Sequence, residues 1–155
     1  MRRQRWFPAA AIAVGLFVIN VVTRLVTRLW FHGSDTAQDR ASLVMFGLIG
    51  LAVAVATFVR AQRVPPAVWL WDVGLGAAGG MLLTILIGPF VSGDQPFAGG
   101  AGNFFAQVWL YGGFAIVGIL LGYWTATAIG RDYRSRSLKA FVQTRTAKPR
   151  RVVRR

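Results

Sequence analysis

The chain has 155 residues, 55% hydrophobic and 15% charged, with a formal net charge of +13. Such apolar content in long unbroken runs is too high for an ordinary soluble domain and lacks the alternation of a membrane barrel, so an all-α integral membrane protein is predicted. There is no cysteine, a single histidine and no glutamate, which excludes thiol chemistry and removes most acid/base and metal-ligand chemistry; neither an enzyme nor a bound cofactor or metal is expected.

Arg2, Arg3 and Arg5 followed by an apolar stretch imitate a signal peptide. The stretch runs on into Thr23-Arg24-Leu25-Val26 without a small-residue cleavage site, so a first uncleaved span is predicted over residues 7–31. Pro8 is tolerated in its first turn, where no intrahelical bond is lost. A second span covers 41–59, Pro65-Pro66 opens a third over 66–91, and a fourth covers 104–129. At ~1.5 Å per residue these lengths match a hydrocarbon core of about 30 Å. Trp6, Trp30, Trp69, Trp71, Trp109 and Trp124 all fall near span ends, where an indole prefers the headgroup region. The four spans make a bundle over residues 1–130, with short outer connections at 33–40 and 92–103.

Residues 131–155 form a separate basic tail carrying Arg131, Arg134, Arg136, Lys139, Arg145, Lys148, Arg150, Arg151, Arg154 and Arg155. Leu138, Phe141 and Val142 recur there at helical spacing and predict a short amphipathic helix, ended by Pro149. Positive charge flanking membrane helices stays on the cytoplasmic side. The N-terminal arginines, Arg60 with Arg63, and the tail therefore place both termini in the cytoplasm. Arginine outnumbers lysine, and Ala, Gly and Val are abundant, the bias of a GC-rich coding sequence; the bacterial inner membrane is the expected location. A soluble chain of this charge would suggest nucleic acid, but cations that flank apolar spans face anionic lipid instead.

Gly74-Leu75-Gly76-Ala77-Ala78-Gly79, with Asp94 twenty residues after Gly74, matches a dinucleotide-binding pattern. That pattern needs a strand, a turn and a helix, whereas an apolar span satisfies its backbone within one helix. The glycines are read instead as close-approach faces: Gly76 with Gly80, Gly50 with Ala54, and Gly118 with Gly122. They pack the bundle or, alternatively, other subunits or a second copy.

Arg24 and Arg28 share one face of the first span's outer half. Their ordinary role is to snorkel outward toward Asp35, Asp39 or Asp94; the sharper one is an anion or lipid-phosphate site completed by Asn20, Gln107 or Tyr111. Asp72 is the sole acid inside a span and lies near the cytoplasmic end, between Trp69 and Trp71. Pairing with Arg60, Arg63 or Arg131, or a hydrogen bond from Tyr123, accounts for it; ion coupling is the alternative. His32 stands alone and is read as inert.

The sequence thus predicts a non-catalytic accessory or scaffold subunit of a larger membrane complex, with anionic lipids and other membrane subunits or its own copies as partners. The alternatives are a small homo-oligomeric transporter or channel component lined by Arg24, Arg28 and Asp72, and a holin-like permeabilising protein.

Overall fold

A computed structural model describes residues 6–30, 35–93, 95, 97 and 100–146. The described chain is helical, and four of its helices are long and apolar enough to cross a membrane. Arg2, Arg3, Arg5, His32, Asp94, Lys148, Pro149, Arg150, Arg151, Arg154 and Arg155 lie outside the described residues, as do the side chains of Asp35 and Asp39.

Helix α1 spans Phe7–Trp30. Helix α2 spans Asp35–Arg63, longer at both ends than the predicted 41–59. The added residues are mostly polar but helix-compatible. Apolar content marks the part of a helix suited to lipid; the hydrogen-bond ladder continues past it. Most of the connection predicted over 33–40 is therefore helical.

Pro65 is extended, with φ −63° and ψ 157°, and Pro66 opens α3 (Pro66–Leu82). A proline at that position has no intrahelical bond to lose. The helix then widens into a π turn over Leu83–Ile87 before α4 (Gly88–Ser92) completes the span. Pro89 is the local cause: it lacks an N–H, and its ring crowds the carbonyl four residues back. Gly93, at φ 84°, stops α4 in the left-handed conformation.

Helix α5 spans Gly100–Ala128, beginning four residues before the predicted 104. It ends where Gly130 turns the chain at φ 64°. The Gly130 N–H donates to the Thr127 carbonyl at 2.9 Å and the Arg131 N–H to the Ala126 carbonyl at 3.0 Å, so two otherwise unpaired carbonyls are satisfied. Helix α6 (Tyr133–Thr146) follows. Its first turn is capped by Asp132, whose Oδ2 accepts the Ser135 N–H at 3.4 Å.

Hydrogen bonds from Ser135 hold the Asp132 carboxyl below its ordinary range. A depressed carboxylate pKa stabilises the fold above the unfolded value, and that contribution disappears as pH falls through the lower folded value. Asp132→Ala is expected to weaken α6 by about 1 kcal/mol. Amide hydrogen exchange should rise in the first turn of α6 and stay unchanged in α5; in the parent protein, acidification below the ordinary Asp range should reproduce the effect.

The helices pack as two intimate pairs, α1 with α3 and α2 with α5, joined through α1 and α2. Within each pair the chains run in the same direction. Gly76 meets Ile12 and Gly88 meets Asn20, while Gly50 meets Phe114 and Gly122 meets Thr57. The pairs oppose each other, since Gly80 lies at Tyr111 whereas Trp69 stacks on Tyr123. Leu16, Phe46, Ile49, Val53 and Val73 fill the core, and Leu51, Val55, Leu75, Ile116 and Leu121 face outward. An outward apolar surface with internally bonded backbone is what a hydrocarbon environment requires.

Candidate functional site

Two strips of residues run along α1 and the third span, which meet at Gly76, Gly80 and Gly88. On α3 and its continuation the residues are Asp72, Gly76, Gly80, Thr84 and Gly88, four apart; on α1 they are Ile12, Leu16, Asn20, Arg24 and Arg28, also four apart. A spacing of four keeps residues near one helix face. At Gly76 a Cβ would sit 2.8 Å from the Ile12 Cβ and 3.0 Å from the Ala9 carbonyl; at Gly80 it would sit 2.7 Å from the Tyr111 hydroxyl. On the other pair a Cβ at Gly118 would overlap the Gly50 carbonyl, and one at Gly122 the Ala54 carbonyl. All six small residues named from the sequence thus lie in contacts within the chain. Gly47, Gly74, Gly112 and Gly113, by contrast, have no heavy atom within 4 Å of where a Cβ would stand.

The half of the contact between α1 and the third span that lies toward α4 is polar. Asn20 is 0% exposed, and Thr84 and Tyr111 are each 1% exposed. The Asn20 Nδ2 donates to the Met45 Sδ at 3.0 Å, tying α1 to α2. Asn20 Oδ1, Thr84 Oγ1 and the Tyr111 hydroxyl have no hydrogen-bond partner among the described residues. The hydroxyls of Thr23, Thr27 and Thr125 donate to the carbonyl four residues back at 2.9, 2.8 and 2.6 Å, whereas that of Thr57, buried on α2, has no partner among the described residues. Thr84, inside the π turn, likewise makes no such bond.

Arg24 is half-buried, its Nε 3.2 Å from where a Gly88 Cβ would stand. Arg28 is exposed and donates through Nη1 to the Val91 carbonyl at 3.4 Å. Gln107 is half-buried one turn before Tyr111. The two arginines and Asn20 therefore lie along the end of the third span that holds Gly88 and Val91, with Tyr111 nearer its middle, at Gly80. Thr84 completes the group; the sequence reading overlooked it, although Gly88-Pro89 within a predicted span signalled a helix irregularity there.

The opposite end is built differently. The Arg60 guanidinium is salt-bridged to the Asp72 carboxylate across the α2–α3 turn. Of the partners considered for Asp72, Arg60 is the one it meets, while Tyr123 stacks on Trp69 at 5.5 Å between ring centroids. Trp69 itself corrects the expectation of six interfacial tryptophans: it is 5% exposed, against 69% for Trp71. Three residues before Asp72 and four before Val73, it shares their inward face.

Asp72 and Gly88 are sixteen residues apart, about 24 Å along the helix. Between them Gly76 is closed by Ile12, and Val73 and Ala77 are buried. Arg24 and Asp72 thus belong to separate polar regions with an apolar layer between. No cluster of three or more His, Cys, Asp or Glu forms among the described residues. The group at Asn20, Arg24, Thr84 and Tyr111 can hold a polar or anionic ligand by hydrogen bonds; the Arg60–Asp72 pair is internally neutralised.

Helix α6 presents Arg134, Arg136, Lys139 and Arg145 to solvent together with Leu138, Phe141 and Val142. At about 100° per residue, Phe141, Arg134, Arg145, Leu138 and Val142 fall on one arc. The charged and apolar residues therefore share a face, unlike the segregated faces of the predicted amphipathic helix. The Arg145 guanidinium lies over the Phe141 ring, 4.6 Å from its centroid. Such a face combines apolar contact with positive charge.

No protein family, curated protein or solved structure matches the chain.

Proposed function

We propose that this protein is a non-catalytic accessory or scaffold subunit of a larger membrane complex, a four-helix bundle with both termini on the cytoplasmic side of a bacterial inner membrane. The observation that carries this reading is the uncovered face of α6. Leu138, Phe141 and Val142 are 64%, 52% and 57% exposed amid Arg134 and Arg145. That composition suits an acidic partner with apolar anchors, with anionic lipid as the neighbouring surface. The interior supports the same reading: backbone lies against backbone between α2 and α5, and the two polar regions along α3 are separated by buried apolar side chains. A route for a solute through one chain would have to part these contacts.

Purification in a mild detergent, followed by mass spectrometry, tests the proposal. The full chain should co-purify with larger membrane subunits at fixed stoichiometry. Replacing Leu138, Phe141 and Val142 together by serine should abolish co-purification while leaving the four long helices folded by circular dichroism. Recovery of the parent chain as a stable monomer without partners would refute the reading.

A further inference from the structure

The group at Asn20, Arg24, Thr84 and Tyr111 contains three oxygens, Asn20 Oδ1, Thr84 Oγ1 and the Tyr111 hydroxyl, in residues no more than 1% exposed and without hydrogen-bond partners among the described residues. Buried oxygens of this kind are costly to leave unpaired, and more so in an apolar medium. Two of the three lie against one strip of the third span, and Thr84 belongs to that strip. A Cβ at Gly80 would stand 2.7 Å from the Tyr111 hydroxyl, and one at Gly88 would stand 2.7 Å from Asn20 Oδ1; Thr84 lies midway. Glycine at both ends lets the polar tips reach the backbone. The π turn that holds Thr84 is a geometry often found at binding sites.

Length and charge decide the class of ligand. Gly80 to Gly88 is a rise of about 12 Å, too long for one ion to touch every group and comparable with a small molecule carrying several hydroxyls. A hydroxyl donates and accepts, which complements an amide oxygen and two hydroxyl groups. The charge lies at the Gly88 end: the Arg24 Nε is 3.2 Å from the Gly88 position, and Arg28 follows one turn further along α1. A guanidinium fork matches phosphate oxygens.

We propose that α1, the third span and α5 form a binding site for a phosphorylated polyol, with its phosphate at Arg24 and Arg28 and its hydroxyls directed toward Asn20, Thr84 and Tyr111. A phosphoglycerol lipid headgroup and a free polyol phosphate present this same chemistry. The site does not depend on the accessory role.

The full chain, reconstituted in phosphatidylcholine nanodiscs, is titrated with glycerol 3-phosphate, with inorganic phosphate as comparator. In a second arm it is reconstituted with phosphatidylglycerol, and retained lipid is counted by native mass spectrometry. Binding of glycerol 3-phosphate assigns the free source, and selective retention of phosphatidylglycerol assigns the headgroup; either supports the site provided that the variants respond. Tyr111→Phe and Thr84→Val preserve shape while removing one hydroxyl each, and each should weaken binding about tenfold. Arg24→Gln should weaken it further; if that variant misfolds, the two hydroxyl variants decide. The proposal is overturned if neither ligand binds, if inorganic phosphate binds as tightly as glycerol 3-phosphate, or if both hydroxyl variants bind like the parent.

Discussion

Gly122→Leu is expected to part α2 from α5 and to destabilise the fold by about 3 kcal/mol or more, at the upper end of overpacking effects. A Cβ at Gly122 would already overlap the Ala54 carbonyl and lie 2.9 Å from the Thr57 Cβ. Backbone carbonyls have no rotamer by which to retreat, so the whole helix must shift. In lipid such contacts matter because apolar side chains gain little by leaving hydrocarbon for one another; close approach, dispersion and weak Cα–H···O contacts hold the helices together. Gly112→Leu supplies the control, since nothing lies within 4 Å of the added Cβ and leucine is the better helix former. Reversible unfolding in mixed micelles should separate the two variants widely. Equal losses would show that backbone proximity at Gly122 is not what holds α2 to α5.

The second large effect is expected at the ion pair. Asp72 is 8% exposed, and the Arg60 side chain is 24% exposed. Removing one member of a fully buried pair destabilises by about 3–5 kcal/mol, because the remaining charge has lost its counter-ion. Partial access of solvent to Arg60 screens that penalty, so Asp72→Leu should destabilise by roughly 1–3 kcal/mol. Arg60→Leu should act similarly, leaving the carboxylate alone. The double replacement should recover most of the stability, giving a coupling energy in a double-mutant cycle that is opposite in sign to the single losses and at least as large as either. Strictly additive losses would mean that the two groups are not energetically paired. Asp72→Asn separates structure from transport: lost flux in liposomes with stability retained would assign Asp72 to ion coupling.

Much of this arrangement was legible residue by residue. Pro65-Pro66 marked the start of α3, and the apolar runs marked all four long helices, because an apolar span must close its hydrogen bonds locally. Gly50 with Ala54 and Gly118 with Gly122 could be named because stripping a helix face of side chains has few other uses in a membrane. Arg60 could be named beside Asp72 because twelve residues with a turn between them return the chain to the same level. The helical extension of α2 through Asp35–Arg40 was not legible from hydropathy, which measures solvent preference while the backbone continues by propensity. The mixed face of α6 was hidden by the spacing of Leu138, Phe141 and Val142, which describes apolar positions without showing which arginines share their arc.

The polar site marks the boundary of what a linear reading reaches. Asn20 and Tyr111 could be named beside Arg24 and Arg28 as candidate partners, but Thr84, in the third span, looked like a threonine that bonds back to its own helix. The sequence by itself determined that four helices exist, where they begin within a few residues, and which faces are small or charged, since those properties depend on neighbours along one helix. Only the tertiary structure decided that Gly80 receives Tyr111, that Gly88 receives Asn20 beside Arg24, and that Trp69 turns inward while Trp71 does not. Those outcomes depend on the rotation and register of whole helices against one another. They are set by the summed fit of many side chains, which no single residue pattern contains.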